Sequence, residues 1–176
     1  MNRVTLVSAA RTPLGAFCGR LESLSEQQLG AAAMRETVRR AAIDPAMIDE
    51  VIVGIAKQTS RPSNGGRHAM LLARLPESIP AYTVQRQSAS GLQAIVNGLW
   101  AIRCGDAAVV LAGGMESMSQ IPFEIRNEGA VIMVPKDKVT RLRMKLAESN
   151  LPKGGSVGYE IFDKKLEDCR KVILTP

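Results

Sequence analysis

A short polar segment between an apolar strand and an apolar helix contains the residue types in this sequence that could support chemistry. Residues 84–95 read Val-Gln-Arg-Gln-Ser-Ala-Ser-Gly-Leu-Gln-Ala-Ile, so the chain turns through small residues just before the helix. This pattern predicts that Ser88 lies at the helix N-terminus, where free amides and the helix dipole favour a negative group. A nucleophile placed there would be activated as its anion, and its own backbone amide could help to hold an oxyanion.

The same two serines have a simpler structural interpretation. Ser88 and Ser90 could cap the helix, because a serine side chain accepts hydrogen bonds from the free amides of a first helical turn. The residues alone favour capping over catalysis, and they leave both interpretations open.

The histidine and cysteine content limits the remaining chemistry. The only histidine, His68, excludes three-histidine zinc sites and HExxH proteases within these residues, and we interpret it as a structural helix residue. Cys18, Cys104 and Cys169 are widely spaced, odd in number and without a CxxC motif, which argues against a disulfide framework and against any metal site. This usage indicates a reducing, cytoplasmic setting. Cys104 is predicted to be a buried thiol beside a Gly105 helix cap.

Composition and charge indicate a globular chain. The chain has 176 residues, long enough for one ordinary domain and short for two, and with 45% hydrophobic and 23% charged residues it is not expected to be disordered. No apolar run approaches the roughly 18 residues of a membrane span, and the N-terminus does not resemble a signal peptide. Residues 129–176 contain 10 basic and 6 acidic residues of a chain whose net charge is +6. We interpret them as a solvated helix face rather than a nucleic-acid surface, since no aromatic residues are interleaved with the charges of the segment 136–150.

Strands and helices alternate along residues 1–128, which form the first predicted domain. The apolar patterns predict strands at residues 4–10, 50–56, 81–85 and 107–112, and helices at 23–42, 67–75 and 92–103. The first helix is predicted to begin at a capping box formed by Ser23 and Glu26. Such alternation with short links is typical of an α/β fold with a mostly parallel sheet and helices on both faces. The second predicted domain, residues 129–176, is a small basic α/β tail with strands at 131–134 and 157–162 around a helix at 136–150.

Three motifs occur in order along the first domain. They are residues 8–13, Ser-Ala-Ala-Arg-Thr-Pro, the segment 85–95 quoted above, and residues 112–119, Ala-Gly-Gly-Met-Glu-Ser-Met-Ser. Together they resemble the N-terminal region of a thiolase, an acetyl-CoA acetyltransferase, over residues 4–123. The resemblance implies a partial thiolase-like fold and acyl transfer between coenzyme A thioesters. It implies an acyl-CoA substrate and no cofactor other than those thioesters.

The sequence departs from the thiolase pattern at its reactive positions. The resemblance places Ser88 where the family has a nucleophilic cysteine. The pKa of a cysteine thiol, about 8.5, is readily lowered at a helix N-terminus, whereas a serine hydroxyl loses its proton only to a strong base. The family's other catalytic motifs, Gly-His-Pro and Cys-x-Gly-Gly, do not occur in these residues. We therefore expect a truncated member of the family with weak or absent activity.

The tail resembles a different family. Residues 134–139, 142–147 and 151–163 are similar to the flagellar M-ring protein and related secretion-system inner-ring proteins, over the segment 130–164. The resemblance implies a ring-building module that packs against copies of itself, so self-association is expected. Three alternatives stay open: an enzyme-family protein, a self-associating structural protein and a non-functional hybrid.

The helix predicted at residues 92–103 is apolar nearly all round, which is typical of a helix between two layers. The resemblance implies that a further domain covers its second side in the complete thiolase fold. We expect this side to be exposed here, and an exposed apolar helix face promotes association.

Overall fold

The computed structural model of the chain describes residues 3–58, 62–121, 123–127 and 130–134. Its helices and strands are α1 (Glu26–Ala41), β1 (Glu50–Gly54), α2 (Gly65–Leu72), β2 (Ala81–Val84), α3 (Ser90–Cys104), β3 (Val110–Gly114), β4 (Phe123–Asn127) and β5 (Ala130–Val134). Two short 3-10 helices, Pro45–Met47 and Met118–Gln120, accompany them. The chain divides into two compact units, Met1–Gln120 and Ile121–Pro176, which are described separately.

The first unit contains a three-stranded parallel sheet in the order β2-β1-β3. Val53 of β1 lies beside Thr83 of β2 on one side and Gly113 of β3 on the other. Parallel neighbours need crossover connections, which α2 supplies between β1 and β2 and α3 supplies between β2 and β3. Residues 51–54 of the central strand are all buried, as expected for a strand covered on both faces.

Successive residues of β1 show that helices cover both faces of the sheet. A Cβ built on Gly66 of α2 would lie 3.0 Å from the Cβ of Val53, so α2 packs on the Val53 face. A Cβ built on Gly54 would instead collide with the backbone of Ser90 in α3. Adjacent strand residues point to opposite faces, so α2 and α3 lie on opposite sides of the sheet. The α1 helix packs against α2, and the predicted α/β fold with helices on both faces is confirmed.

The main apolar core lies on the α2 face and is built from medium-sized aliphatic residues and methionine, as the low aromatic content predicts. Its buried members are Ala31, Met34, Val38, Ile48, Val51, Val53, Ile55, Ala69, Met70, Ala73, Leu75, Ile79 and Met115. On the opposite face, α3 contributes small buried residues, Ala94 and Gly98, to its contact with the strands.

The α1 helix begins two residues later than the sequence predicted. Ser25, not Ser23, is the N-cap: its Oγ accepts from the Gln28 amide at 3.2 Å, and the Gln28 side chain accepts from the Ser25 amide at 2.9 Å. Glutamine at the third helical position completes a capping box as well as glutamate does, so the sequence offers two overlapping registers. In the observed helix, Gly30, Ala31 and Met34 of α1 are buried.

The strand predicted at residues 4–10 is wrong, since the structure assigns no strand to residues 3–16. Leu6 and Val7 are 83% and 72% exposed, and the Ala9 carbonyl accepts from Arg40 Nη1 at 3.2 Å rather than from a strand amide. An apolar segment becomes a strand only when a neighbouring strand takes its hydrogen bonds. Among the described residues, none pairs with this segment.

The last strand of the sheet is displaced from its predicted position, beginning at Val110 rather than at residue 107. The carboxylate of Asp49 accepts from the amides of Ala108 and Val109 at 2.7 and 2.9 Å. These amides are therefore bound to a side chain and do not join the strand ladder. The prediction missed this because Asp49 lies about 60 residues earlier in the chain.

The second unit is described only as an antiparallel hairpin of β4 and β5, in which Ile125 lies beside Ile132. The strand predicted at residues 131–134 is confirmed as β5, whereas β4 was not predicted. The helix predicted at 136–150 and the strand predicted at 157–162 lie outside the described residues, and the domain boundary at residue 128 stays a prediction. Within the described ranges, no helix combines the length and apolar character needed to cross a membrane.

Candidate functional site

Ser88 lies in a sharp turn between the end of β2 and the beginning of α3. The turn is closed by hydrogen bonds from the Ala89 amide to the Arg86 carbonyl, 3.1 Å, and from the Ser90 amide to the Gln87 carbonyl, 3.0 Å. Gln87 has a φ of 49°, the left-handed conformation that residues with a side chain seldom adopt. Ser88 is exposed at the tip, directly before the N-cap residue of α3. The predicted location of Ser88 is therefore confirmed.

The capping interpretation of the two serines is wrong. The N-cap of α3 is Ala89, and no side chain caps the helix. The Ser90 hydroxyl bonds backward, accepting from the Arg86 amide at 2.8 Å and donating to the Gln87 carbonyl at 2.6 Å. Within the described ranges, no hydrogen bond involves the Ser88 hydroxyl. Within the same ranges, the Gly91 and Leu92 amides of α3 have no acceptor, whereas the Ser90 amide is bound within the turn. These two free amides and the side chain of residue 88 are therefore available to a ligand.

Glycines allow the first turn of α3 to lie directly on the ends of β1 and β3. A Cβ on Gly54 would lie closer than 3.0 Å to the Ser90 carbonyl carbon and to the Gly91 nitrogen. A Cβ on Gly114 would lie 2.9 Å from the Cα of Gly91. Only glycine permits backbones to approach this closely, so these residues place the N-terminus of α3 at the carboxyl edge of the sheet.

A cleft of about 660 Å³ opens at this edge. Gln87, Ser88, Ser90 and Gly91 form one wall, residues 10–17 form a second, and residues 114–119 after β3 form a third. All three thiolase-like motifs of the sequence thus contribute residues to one cleft. A cleft at the carboxyl ends of parallel strands is the usual place for a ligand in an α/β fold.

Glu116 fixes the loop that follows β1 at the rim of the cleft. One of its carboxylate oxygens accepts from the amides of Ala56 and Lys57, at 2.8 and 3.3 Å. Gln85, which lies between β2 and the turn that carries Ser88, donates to the Ala56 carbonyl at 3.1 Å. The sequence analysis did not assign a role to Glu116, although its position in the 112–119 motif was the available signal.

Two buried serines of the same motif hold the N-terminal wall of the cleft. The Ser117 hydroxyl donates to the Leu24 carbonyl at 2.8 Å, and the Ser119 hydroxyl accepts from the Cys18 amide at 2.9 Å. Their bonds join parts of the chain about 100 residues apart, so no local pattern could predict them. They attach the wall to the end of the sheet.

His68, Cys18 and Cys104 do not line the cleft. His68 is exposed in the middle of α2 and does not line the cleft, in agreement with a structural role. Cys104 is exposed, so the prediction of a buried thiol is wrong, although Gly105 does cap α3 with a φ of 86°. Cys18 is exposed, and Cys169 lies outside the described residues.

The carboxyl groups with shifted pKa values lie away from the cleft. Hydrogen bonds from the Val109 and Ala108 amides lower the pKa of Asp49, and the guanidinium groups of Arg39 and Arg40 lower the pKa of Glu36 to about 2. Desolvation by burial, with a smaller repulsion from Asp106, raises the pKa of Glu50. None of these groups lines the cleft, so within the described residues these shifts reflect the fold rather than catalysis.

Comparison with known proteins finds relatives of one family. The family model described as "Thiolase, N-terminal domain" matches residues 4–152. A probable acetyl-CoA acyltransferase of Staphylococcus epidermidis is 40% identical over 127 residues, 72% of this chain and 32% of the relative. An acetyl-CoA acetyltransferase of Pseudomonas aeruginosa is 41% identical over 123 residues, 70% of this chain and 31% of the relative. The chain thus spans about a third of the length of these curated relatives.

A solved structure shows the same fold. The crystal structure of the Bacillus anthracis acetyl-CoA acetyltransferase matches with a TM-score of 0.67 and 29% sequence identity, covering 81% of this chain and 41% of that one. The family match to residue 152 includes part of the segment 130–164, whose resemblance to ring-building proteins stays a prediction.

Proposed function

This chain belongs to the thiolase family, and from that premise we propose that its cleft binds an acyl-coenzyme A thioester with residue 88 at the acyl-accepting position. The observation that carries the proposal is the sharp turn that presents residue 88 to the cleft, directly before the free amides of α3. Those amides suit the negative charge that develops when a thioester carbonyl is attacked. The reaction requires no cofactor other than the coenzyme A thioester itself.

The residue type at position 88 determines whether the site can catalyse acyl transfer. A thiolate at this position would attack the thioester carbonyl, form a new thioester and release the coenzyme A thiolate. The Ser88 hydroxyl needs a strong base for the same attack. Among the described residues, no histidine lines the cleft, and Glu116 already accepts two backbone amides. We therefore propose that this chain, which also contains neither the Gly-His-Pro nor the Cys-x-Gly-Gly motif, has no measurable thiolase turnover.

Three forms of the chain test the proposal: the unchanged protein, Ser88→Cys and Ser88→Ala. Each is incubated with acetyl-CoA, and acetylation is measured by mass spectrometry on the tryptic peptide of residues 87–103, which contains no other cysteine. We expect acetylation of Ser88→Cys alone, because only that variant has an accessible thiolate at the turn.

Two results would contradict this proposal. Coenzyme A-dependent cleavage of acetoacetyl-CoA by the unchanged chain above a trace rate would refute the loss of turnover. Failure of Ser88→Cys to become acetylated, together with no binding of acetyl-CoA by calorimetry, would refute the substrate class. Removing a nucleophile normally costs several orders of magnitude in rate, so the first assay has a wide margin.

We propose a reducing, cytoplasmic setting for the chain. Cys104 is exposed and forms no disulfide among the described residues, and exposed thiols persist where the cellular redox buffer keeps them reduced. Alkylation of freshly lysed cells expressing the chain, followed by mass spectrometry, should find the Cys104 thiol unmodified before alkylation. Recovery of Cys104 in a mixed disulfide would count against this setting.

Self-association is a second candidate property, and the outer face of α3 favours it. Leu92, Ile95 and Trp100 are 67%, 51% and 50% exposed. Leaving such side chains in water forgoes roughly 1.5–3 kcal/mol each relative to burial, which a second copy of the chain would recover. We expect Leu92→Glu with Ile95→Glu to reduce the oligomer size in size-exclusion chromatography. The control is Met47→Glu, an equally exposed apolar residue outside α3.

Deleting residues 129–176 shows whether association comes from the outer face of α3 or from the tail. If the oligomer persists after the deletion and is lost in the α3 variant, the helix face is responsible. If the deletion alone abolishes it, the ring-building resemblance of the tail is supported instead. A monomer with a sharp thermal transition above roughly 65 °C in the unchanged chain would contradict both.

A further inference from the structure

Ser90 is a buried polar residue that has no part in the proposed acyl acceptance at residue 88. It is 2% exposed, and its hydroxyl bonds to the turn that precedes it. The Arg86 amide donates to the hydroxyl at 2.8 Å, and the hydroxyl donates to the Gln87 carbonyl at 2.6 Å. Since Ser90 is the first residue of α3, these bonds tie the turn to the helix. A buried hydroxyl with both a donor and an acceptor in one turn rigidifies that turn.

The turn needs such a restraint because Gln87 is held in an unfavourable conformation. Its φ of 49° brings the Cβ close to the following carbonyl, so the residue keeps this conformation only if its surroundings hold it there. The Ser90 hydroxyl holds the Gln87 carbonyl, which belongs to the peptide group joining Gln87 to Ser88. Loss of the hydroxyl would leave this carbonyl held only by the Ser90 amide, at 3.0 Å, which lets the peptide rotate further and moves residue 88.

Ser90 is itself fixed from the side of the sheet. Its backbone lies against Gly54, closer than any residue with a Cβ would permit, so the first turn of α3 cannot move toward the strand. The Ser90 hydroxyl therefore belongs to a fixed part of α3 and bonds to the strained turn at Gln87. This is the arrangement expected of a residue that orients a neighbouring reactive group.

We propose that Ser90 is the positioning residue of this site: its hydroxyl fixes the left-handed turn, so that the side chain at residue 88 stays directly before the free amides of α3. The inference rests on the proposed role of residue 88, and the Ser90 hydroxyl acts on the turn rather than on the substrate. It predicts that loss of the Ser90 hydroxyl changes the acidity of a group at residue 88 without removing that group.

The experiment uses the Ser88→Cys chain, whose thiol reports on its surroundings. The rate of alkylation by iodoacetamide is measured from pH 5 to 10 on the tryptic peptide of residues 87–103, and the midpoint gives the thiol pKa. We expect a midpoint below the ordinary value of about 8.5, because the helix N-terminus favours the thiolate. Adding Ser90→Ala should raise the midpoint by about half a unit or more, toward the ordinary value.

Ser117→Ala in the same Ser88→Cys background is the matched control. Ser117 is also buried, 7% exposed, and its hydroxyl also donates to a backbone carbonyl, but it lies outside the turn. General loosening of the fold would shift the midpoint in both variants, whereas positioning by Ser90 shifts it in Ser90→Ala alone. Equal midpoints in the two variants would overturn the proposal. A second variant, Ser90→Thr, keeps the hydroxyl and should retain the low midpoint.

Hydrogen exchange tests the proposal even if Ser90→Ala does not fold. In the Ser88→Cys chain, the Arg86 amide should exchange slowly, because it donates to a buried hydroxyl. Exchange as fast as in an unstructured peptide would overturn the proposal. Neither readout requires an acyl group, so loss of acetyl-CoA binding would refute the proposed function while leaving the test of Ser90 intact.

Discussion

Replacing Gly54 by alanine is expected to destabilise the chain and to displace the turn that carries Ser88. The added Cβ would lie closer than 3.0 Å to the Ser90 carbonyl carbon and the Gly91 nitrogen, whereas ordinary contact begins at 3.4 Å. These are backbone atoms, which cannot rotate away as the end of a side chain can. The whole first turn of α3 must therefore move outward.

The cost can be estimated from other overpacked interiors. Forcing one methyl group into a filled site costs about 1–3 kcal/mol, and a clash with backbone belongs at the upper end. For a chain of this size, each kcal/mol lowers the melting temperature by about 2–4 °C. We therefore expect Gly54→Ala to lower it by about 6–12 °C, measured by circular dichroism.

Gly113→Ala and Gly98→Ala are graded controls. Gly113 lies beside Val53 in the same sheet, and a Cβ there would meet nothing within 4 Å, so its melting temperature should stay unchanged or rise slightly. A Cβ on Gly98 would lie 3.0 Å from Val110 Cγ1, the end of a side chain that can shift, and should have an intermediate effect. The reasoning is refuted if Gly54→Ala melts at the same temperature as Gly113→Ala.

Two further predictions concern the fold around the site. Ser25→Ala should destabilise the chain by about 0.5–2 kcal/mol through loss of the α1 cap, whereas Ser23→Ala, at the position that the sequence favoured, should have little effect in urea unfolding. Because backbone hydrogen bonds lower the pKa of Asp49, the stability it contributes is present above its unfolded pKa, about 3.9, and is lost as the pH falls through the folded pKa. The urea midpoint should therefore decrease more between pH 7 and pH 3 in the unchanged chain than in Asp49→Asn. Equal decreases in the two proteins would contradict this.

The features that the sequence predicted correctly are those that local pattern determines. The continuous apolar run of β1 and the polar-to-apolar change before α3 are visible within a few residues, so the parallel sheet and the position of Ser88 followed from them. The errors concern groups whose partners are distant. The strand predicted at residues 4–10 depended on a neighbour, and the start of β3 depended on Asp49. The alternation of residue types could not show either dependence.

The role of the serines illustrates the same limit at the site. Ser88 and Ser90 are equally good capping residues by type, and sequence offers no way to tell which direction a hydroxyl points. The structure shows that the Ser90 hydroxyl points back into the turn and that the Ser90 backbone is held against Gly54. Gly54 and Ser90 therefore act together, although they come from different elements.

The close packing that positions residue 88 also explains the exposed apolar face of α3. To bring the helix N-terminus onto the strand ends, the inner side of α3 must be made of small residues, and Ala94 and Gly98 are indeed buried there. The large apolar side chains of the helix then have no place against the sheet, so Leu92 and Trp100 face outward. Substituting the outer residues should change association and leave the turn unaltered, whereas enlarging the inner ones should move residue 88. The geometry of the turn that carries residue 88 and the tendency to associate thus have one structural cause but can be changed independently.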